Sequence, residues 1–251
     1  MINIIIPMAG EGSRFKKEGF PDPKPLIKVN DKHMIELVVN NIKPTCEHRF
    51  IFICQAEHLS TTHLEKILKR TCDNAIIISM DRKTAGAAET VLVAEKYINN
   101  DSPLMIANCD QWIDIDINEY LDAFNHQKSD GMIMTMTAND PKWSYLRIAQ
   151  QGYVCEVREK EVISTEASVG IYNFKRGSDY CYAAKRMIED NNLSNGEYYV
   201  APTYNYLIQE RKSVIDFYNI GEEYKGMYGL GIPTDLSKFL KNSISKKATD
   251  F

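Results

Sequence analysis

A chain of 251 residues with 44% hydrophobic content holds enough apolar material for one substantial core without disulfide or metal staples. Its net charge of -4 offers no concentrated basic face, which excludes an extended nucleic-acid surface but leaves room for a local cationic site. The six cysteines are scattered with no CxxC pair, and the apolar start Met1 to Pro7 has no basic leader and breaks at Pro7, so reduced thiols, a cytoplasmic setting and no signal peptide or membrane span are expected.

Strand-length apolar runs recur at Asn3–Ile6, Arg49–Cys54, Ala75–Ser79 and Leu104–Ala107. Each is short, uninterrupted and rich in Ile, Leu, Phe or Met, as expected of parallel strands covered on both faces. Between them lie helical stripes at Ile35, Val38, Val39 and Ile42, at Leu64, Ile67 and Leu68, and at Val91, Ala94 and Ile98. Thr62 with Glu65 predicts a capping box for the second of these helices. The alternation predicts right-handed βαβ crossovers, hence an α/β fold with a Rossmann-like, doubly wound, mostly parallel sheet.

Beyond residue 130 the pattern changes to β-rich segments at Gly131–Thr137, Leu146–Ala149, Tyr153–Arg158 and Val169–Phe174, which predict mixed or antiparallel additions to the same sheet. Helices are expected at Gly177–Asp190, from Pro202 to Glu210, and at Thr234–Ser243, while the polar tail Lys241 to Phe251 reads as dispensable. No Pro-, Gly- or Ser-rich linker divides the chain. A single domain over residues 1–251 is expected, with one binding part at 1–130 and a second at 131–240.

The loop Pro7-Met8-Ala9-Gly10-Glu11-Gly12-Ser13-Arg14 directly follows the first strand, where the carboxyl edge of a parallel sheet opens into a crevice. Gly10 and Gly12 let backbone N–H groups approach phosphate oxygens, and Arg14 brings a permanently charged fork to the same anion. The loop has neither the GK[ST] ending of a P-loop nor the GxGxxG spacing of a dinucleotide fold. Ten residues on, Pro23-Lys24-Pro25-Leu26 holds Lys24 in a fixed extended segment. Asp110 closes a buried strand, a costly place for a carboxylate unless it binds a cation or hydrogen-bond donors.

The glycine loop with Ser13-Arg14, then Pro23-Lys24-Pro25-Leu26, then a turn and the Met34-Ile35-Glu36 helix resemble the sugar-phosphate nucleotidyltransferase family. The resemblance implies the nucleotidyltransferase (GT-A-like) architecture, Mg2+ as cofactor, a nucleoside triphosphate and a small phosphorylated acceptor as ligands, and a monomer or homodimer. It makes Arg14 and Lys24 catalytic, and it places Met8, Ala9, Gly10, Gly12, Ser13, Thr84, Gly86 and Ala87 against the nucleotide. Lys160, Glu166, Gly170 and Glu197 fall on the acceptor side. Asp110 matches the metal ligand. A second family carboxylate falls at Gly229, so either one carboxylate suffices or Asp216 or Asp235 substitutes; Asp235 also suits the first turn of the last helix. The hexapeptide repeats of bifunctional relatives do not occur in these residues.

Within the family, the chain is most similar to small members that use CTP in surface-polysaccharide assembly, including cytidylyltransferases for phosphocholine and for the phosphoglutamine of a capsular modification. A sugar-1-phosphate acceptor with UTP or dTTP is the alternative. Outside the family, Asp114-Ile115-Asp116 permits a DxD glycosyltransferase, although Asp116 and Glu119 also suit a helix start. The missing second Asp permits a silent nucleotide-binding regulator. The five histidines lack HExxH spacing and read as surface or structural residues.

Overall fold

The computed structural model describes residues 1–251. Strand β1 (Ile2–Met8) leads through the glycine loop into α1 (Ser13–Lys17), a 3-10 turn at Lys24–Leu26, and a small hairpin of β2 (Lys28–Val29) and β3 (Lys32–His33). Helix α2 (Met34–Ile42) returns the chain to β4 (His48–Gln55). Helices α3 (Ala56–Thr61) and α4 (Leu64–Thr71) precede β5 (Ile76–Met80), and α5 (Ala87–Leu92) and α6 (Glu95–Ile98) precede β6 (Leu104–Ala107). The second half adds β7 (Gln111–Ile113), α7 (Ile117–Gln127), β8 (Gly131–Thr137), the hairpin of β9 (Ser144–Ile148) and β10 (Val154–Glu159), and β11 (Glu166–Phe174). It ends with α8 (Gly177–Glu189), α9 (Thr203–Arg211), β12 (Ile215–Glu223), β13 (Gly226–Gly229), α10 (Pro233–Lys241) and α11 (Ile244–Ala248).

The strands join in the order β5-β4-β1-β6-β11-β8-β12-β13-β7, with the β9–β10 hairpin attached to β11. The neighbours in β5-β4-β1-β6 are parallel, as the continuous apolar runs predict. Both faces of β1 are buried: Ile4 and Ile6 pack on one side with α2 and α4 residues, and Ile5 on the other with α5 and α8 residues. Strand β11 runs antiparallel to β6 and to β8, pairing Ile171 with Ala107 and Phe174 with Leu104. This reversal brings the amino end of β11 to the same sheet edge as the carboxyl ends of β1, β4, β5 and β6. No helix is long and apolar enough to cross a membrane.

Three local expectations are corrected. Thr62 ends α3, donating its hydroxyl to the His58 carbonyl at 2.6 Å, while Glu65 is taken by Lys69 at 2.5 Å, so the predicted capping box does not form. Helix α2 is capped instead by Glu36, which accepts from the His33 N–H at 2.9 Å, where no Ser, Thr, Asp or Asn announces the helix start. The tail is also not a loose end. Ser245 and Ala248 are buried, Asn30 donates to the Ser245 carbonyl and the Thr249 hydroxyl at 3.2 Å each, and Lys32 donates to the Phe251 carbonyl at 2.9 Å. Asp216, one alternative for a second metal ligand, pairs across β12 and β8 with Met132, at the sheet edge opposite to Asp110. The register removes it from consideration.

Candidate active site

A cleft of about 790 Å³ opens at the carboxyl edge of β1, β4 and β5. Of the residues expected against a nucleotide, Ala9, Gly10, Gly12, Ser13, Thr84, Gly86 and Ala87 line it, and Glu197 joins them from the second half. Met8 does not: it is 3% exposed and packs in the core, because the last residue of β1 still alternates inward. The Gln55 amide donates to the Ala9 carbonyl at 2.7 Å and so fixes the glycine loop to the end of β4. Lys16, Arg82 and Lys83 also line the cleft, cations that sequence reasoning missed because each sits in an ordinary-looking polar stretch.

Gly12 has φ 61, a left-handed conformation that favours glycine, and a side chain there would begin 3.5 Å from the Lys24 Cβ. The loop and the Pro-Lys-Pro segment are therefore in contact. Lys24 in turn donates to Asp110 Oδ2 at 2.8 Å, both side chains being 23% exposed. Burial works against the Lys24 charge, yet the adjacent Asp110 and Cys109 outweigh it and hold the ammonium well above the usual lysine range, against a smaller opposing effect of Arg14. Arg14 is exposed and does not line the cleft, so the contact of this group is between Lys24 and Asp110. Beneath them, burial pushes the Cys109 thiol up to about 11.

Asp110 is clamped from its other side by the turn between β13 and α10. The Leu230 N–H donates to the Asp110 carbonyl at 2.8 Å, and a side chain at Gly231 would begin 2.4 Å from Asp110 Oδ2. Gly229 pairs with Gln111 across β13 and β7, and a side chain there would begin 3.6 Å from Asp235 Oδ2. Asp235, in the first turn of α10, therefore lies beside position 229. Asp235 Oδ1 accepts from the Tyr224 hydroxyl at 3.1 Å. No group of three or more potential metal-ligand side chains gathers anywhere in the chain. The DxD string holds no such site: Asp116 caps α7 by accepting from the Asn118 N–H, and Asp114 pairs with Lys247 at 2.5 Å.

Glycines 86 and 170 serve neighbours that the sequence did not identify. Gly86 has φ 138, and a side chain there would begin 2.5 Å from the Tyr198 carbonyl oxygen. The Tyr198 N–H donates to the Ala85 carbonyl at 2.7 Å and the Ala88 N–H donates to the Tyr198 carbonyl at 3.0 Å, a main-chain joint between segments far apart in sequence. Gly170, with φ 84 at an irregularity in β11, makes room for the side chains of Asn108, just after β6, and Gln111, the first residue of β7. On the expected acceptor side, Lys160 donates to the Tyr199 hydroxyl at 2.5 Å and lies over its ring. Burial raises the Tyr199 phenol, and Glu197 beside it adds to the rise. Lys160 and Glu197 therefore meet through Tyr199. Glu166 lies at the same edge, but its carboxylate is already engaged by the Thr135 hydroxyl at 2.8 Å and the Asn219 amide at 2.9 Å.

Residues 3–222 match the nucleotidyl transferase family. The chain is 24% identical over 258 aligned residues to the bifunctional protein GlmU of Clostridium beijerinckii, covering 96% of this chain but 52% of that protein, so it spans about half the length of this curated relative. The nucleoside-diphosphate-sugar pyrophosphorylase of Vibrio cholerae superposes with a TM-score of 0.77 at 25% identity, covering 95% of this chain and 100% of that one. The inositol-1-phosphate CTP transferase of T. maritima shares the fold with a TM-score of 0.76 at 14% identity, covering 99% and 96%. With the family match extending over most of its length, the chain belongs to the nucleotidyl transferase family.

Proposed function

We propose that this protein transfers CMP from CTP to a small phosphorylated acceptor and releases pyrophosphate. The observation that carries the reading is the contact of the Gly12 loop with Lys24 and of Lys24 with Asp110. An oxygen of the acceptor phosphate attacks the α-phosphorus in line, the bond from that phosphorus to the bridging oxygen breaks, and pyrophosphate leaves with the electron pair. A phosphate monoester has its second pKa near ~6, so the nucleophile is already a dianion at neutral pH and no strong base is needed. Lys24 and Arg14 orient the triphosphate and offset its charge, Lys160 orients the acceptor phosphate, and the loops around Gly12 and Gly86 hold the nucleotide.

Asp110 fits Mg2+: it is a hard oxygen donor whose Oδ1 accepts no hydrogen bond, at the point where Lys24 marks a high negative potential. Asp235, across the Gly229 turn, is the candidate second carboxylate. When bound, Mg2+ supplies further charge neutralisation and orientation of the phosphate oxygens. Lys24 balances the Asp110 charge across their 2.8 Å contact.

The motif resemblance supports CTP and a phosphoglutamine acceptor in capsule assembly, and the fold is shared with a CTP transferase. A sugar-1-phosphate with UTP or dTTP is the second reading, favoured by the 25% identity to a nucleoside-diphosphate-sugar pyrophosphorylase. Pyrophosphate release is measured with each of the common nucleoside triphosphates against phosphoglutamine, phosphocholine and sugar-1-phosphates. The proposal expects CTP to be preferred, and Lys24→Ala to lower kcat by about a hundredfold or more with the fold retained. Turnover in that variant equal to the parent removes Lys24 from the mechanism. Absence of pyrophosphate release with every pair removes the reading itself.

A further inference from the structure

His33 and His63 belong neither to the cleft nor to the Lys24 group. His33 is buried at the start of α2, and His63, immediately before α4, is exposed above it. Their Nε2 atoms lie 3.4 Å apart, with the rings inclined at 63°. Glu36 accepts from the His33 backbone N–H at 2.9 Å and from the Arg70 guanidinium at 2.5 Å, as an ionised carboxylate does. His33 Nδ1, 2.7 Å from the same carboxylate oxygen, therefore carries the ring proton and donates it there. Its Nε2 is left with a lone pair directed at His63. A carboxylate that fixes the tautomer and orientation of an imidazole in this way is the usual outer partner of a metal-binding histidine.

Two arrangements are compatible with this spacing. A direct hydrogen bond from an N–H donor centres near ~2.9–3.0 Å. Two imidazole nitrogens, each ~2.0–2.1 Å from one tetrahedral ion, stand about 3.3–3.4 Å apart. The 3.4 Å observed is at the long limit of the first and within the second, and a His33 ring fixed by Glu36 and facing an exposed imidazole favours the second. We propose that His33 and His63 form a two-imidazole site for a borderline transition-metal cation, Zn2+ or Ni2+, whose remaining positions are filled by water on the exposed His63 side. Mg2+ prefers oxygen ligands and does not compete for it. The bound ion ties together the first turns of α2 and α4, two helices that pack against each other.

The test is calorimetric titration of the intact protein with NiCl2 in excess Mg2+, which keeps Asp110 out of the measurement. The protein carries Cys46→Ser and Cys155→Ser, because these two thiols are exposed and bind the same ions. One saturable Ni2+ site is expected, weakened at least about tenfold by His63→Ala, which removes an exposed ring and leaves the His33–Glu36 cap intact. Cu2+ bound in place of Ni2+ is expected to give an electron paramagnetic resonance spectrum with coupling to two nitrogens. No saturable Ni2+ binding, or equal affinity in the His63→Ala protein, overturns the proposal.

Discussion

Gly231→Ala is expected to impair the proposed chemistry without impairing the fold. Gly231 lies outside the left-handed region, so alanine meets no backbone penalty there. Its Cβ, however, begins 2.4 Å from Asp110 Oδ2 and 3.2 Å from Cγ, whereas ordinary contact starts at 3.4 Å. The carboxylate must withdraw by about 1 Å, and the oxygen that moves is the one held 2.8 Å from Lys24. A displacement of roughly 1 Å in a positioned group costs on the order of a hundredfold in rate. The assay is steady-state pyrophosphate release as a function of Mg2+ concentration, beside a thermal melt. A drop in kcat of about that size, a higher Mg2+ requirement and a retained cooperative melt are expected. Unchanged turnover at the same Mg2+ concentration refutes the argument that this turn positions Asp110.

Two further outcomes concern stability. Gly86→Ala places a Cβ 2.5 Å from the Tyr198 carbonyl oxygen at φ 138, and because the neighbour is backbone, no rotamer change relieves it. Urea denaturation is expected to show a loss of at least ~2 kcal/mol, and a midpoint equal to the parent's excludes the joint as a source of stability. At Glu36, burial favours the neutral acid but is outweighed by the His33 backbone N–H, the His33 ring and Arg70, which hold the carboxyl down at about 2. With an unfolded value near ~4.3, this contribution is fully present above that pH and is lost as pH falls through about 2, a difference of up to roughly 3 kcal/mol. Glu36→Gln should flatten the acid limb of the stability curve in that window. An unaltered limb on acid titration of the variant counts against the assignment.

Much of the frame was legible because buried parallel strands write themselves as continuous apolar runs, so β1, β4, β5 and β6 follow from sequence, with α2 and α4 between them. Asp110 was legible for a related reason, because a buried strand end makes a carboxylate expensive, whereas Lys24, expected in an extended segment between its prolines, opens a 3-10 turn instead. What escaped depends on neighbours distant in the chain. Gly86 answers to Tyr198, Gly170 to Asn108, and Gly231 to Asp110, and no local pattern carries such pairings. Thr62 was misread because α3, a short helix with little apolar periodicity, was not foreseen, and the threonine belongs to its end.

The main-chain joint at Ala85, Ala88 and Tyr198 has a thermodynamic consequence. It splices the loop on the expected base side to the strand of residues that carries Glu197 and Tyr199, and through Tyr199 to Lys160. A ligand that reshapes one arm without breaking these two hydrogen bonds does work on the other. Any such work must appear as a coupling free energy, and linkage requires it to be reciprocal: whatever factor the first substrate applies to the affinity of the second, the second returns to the first.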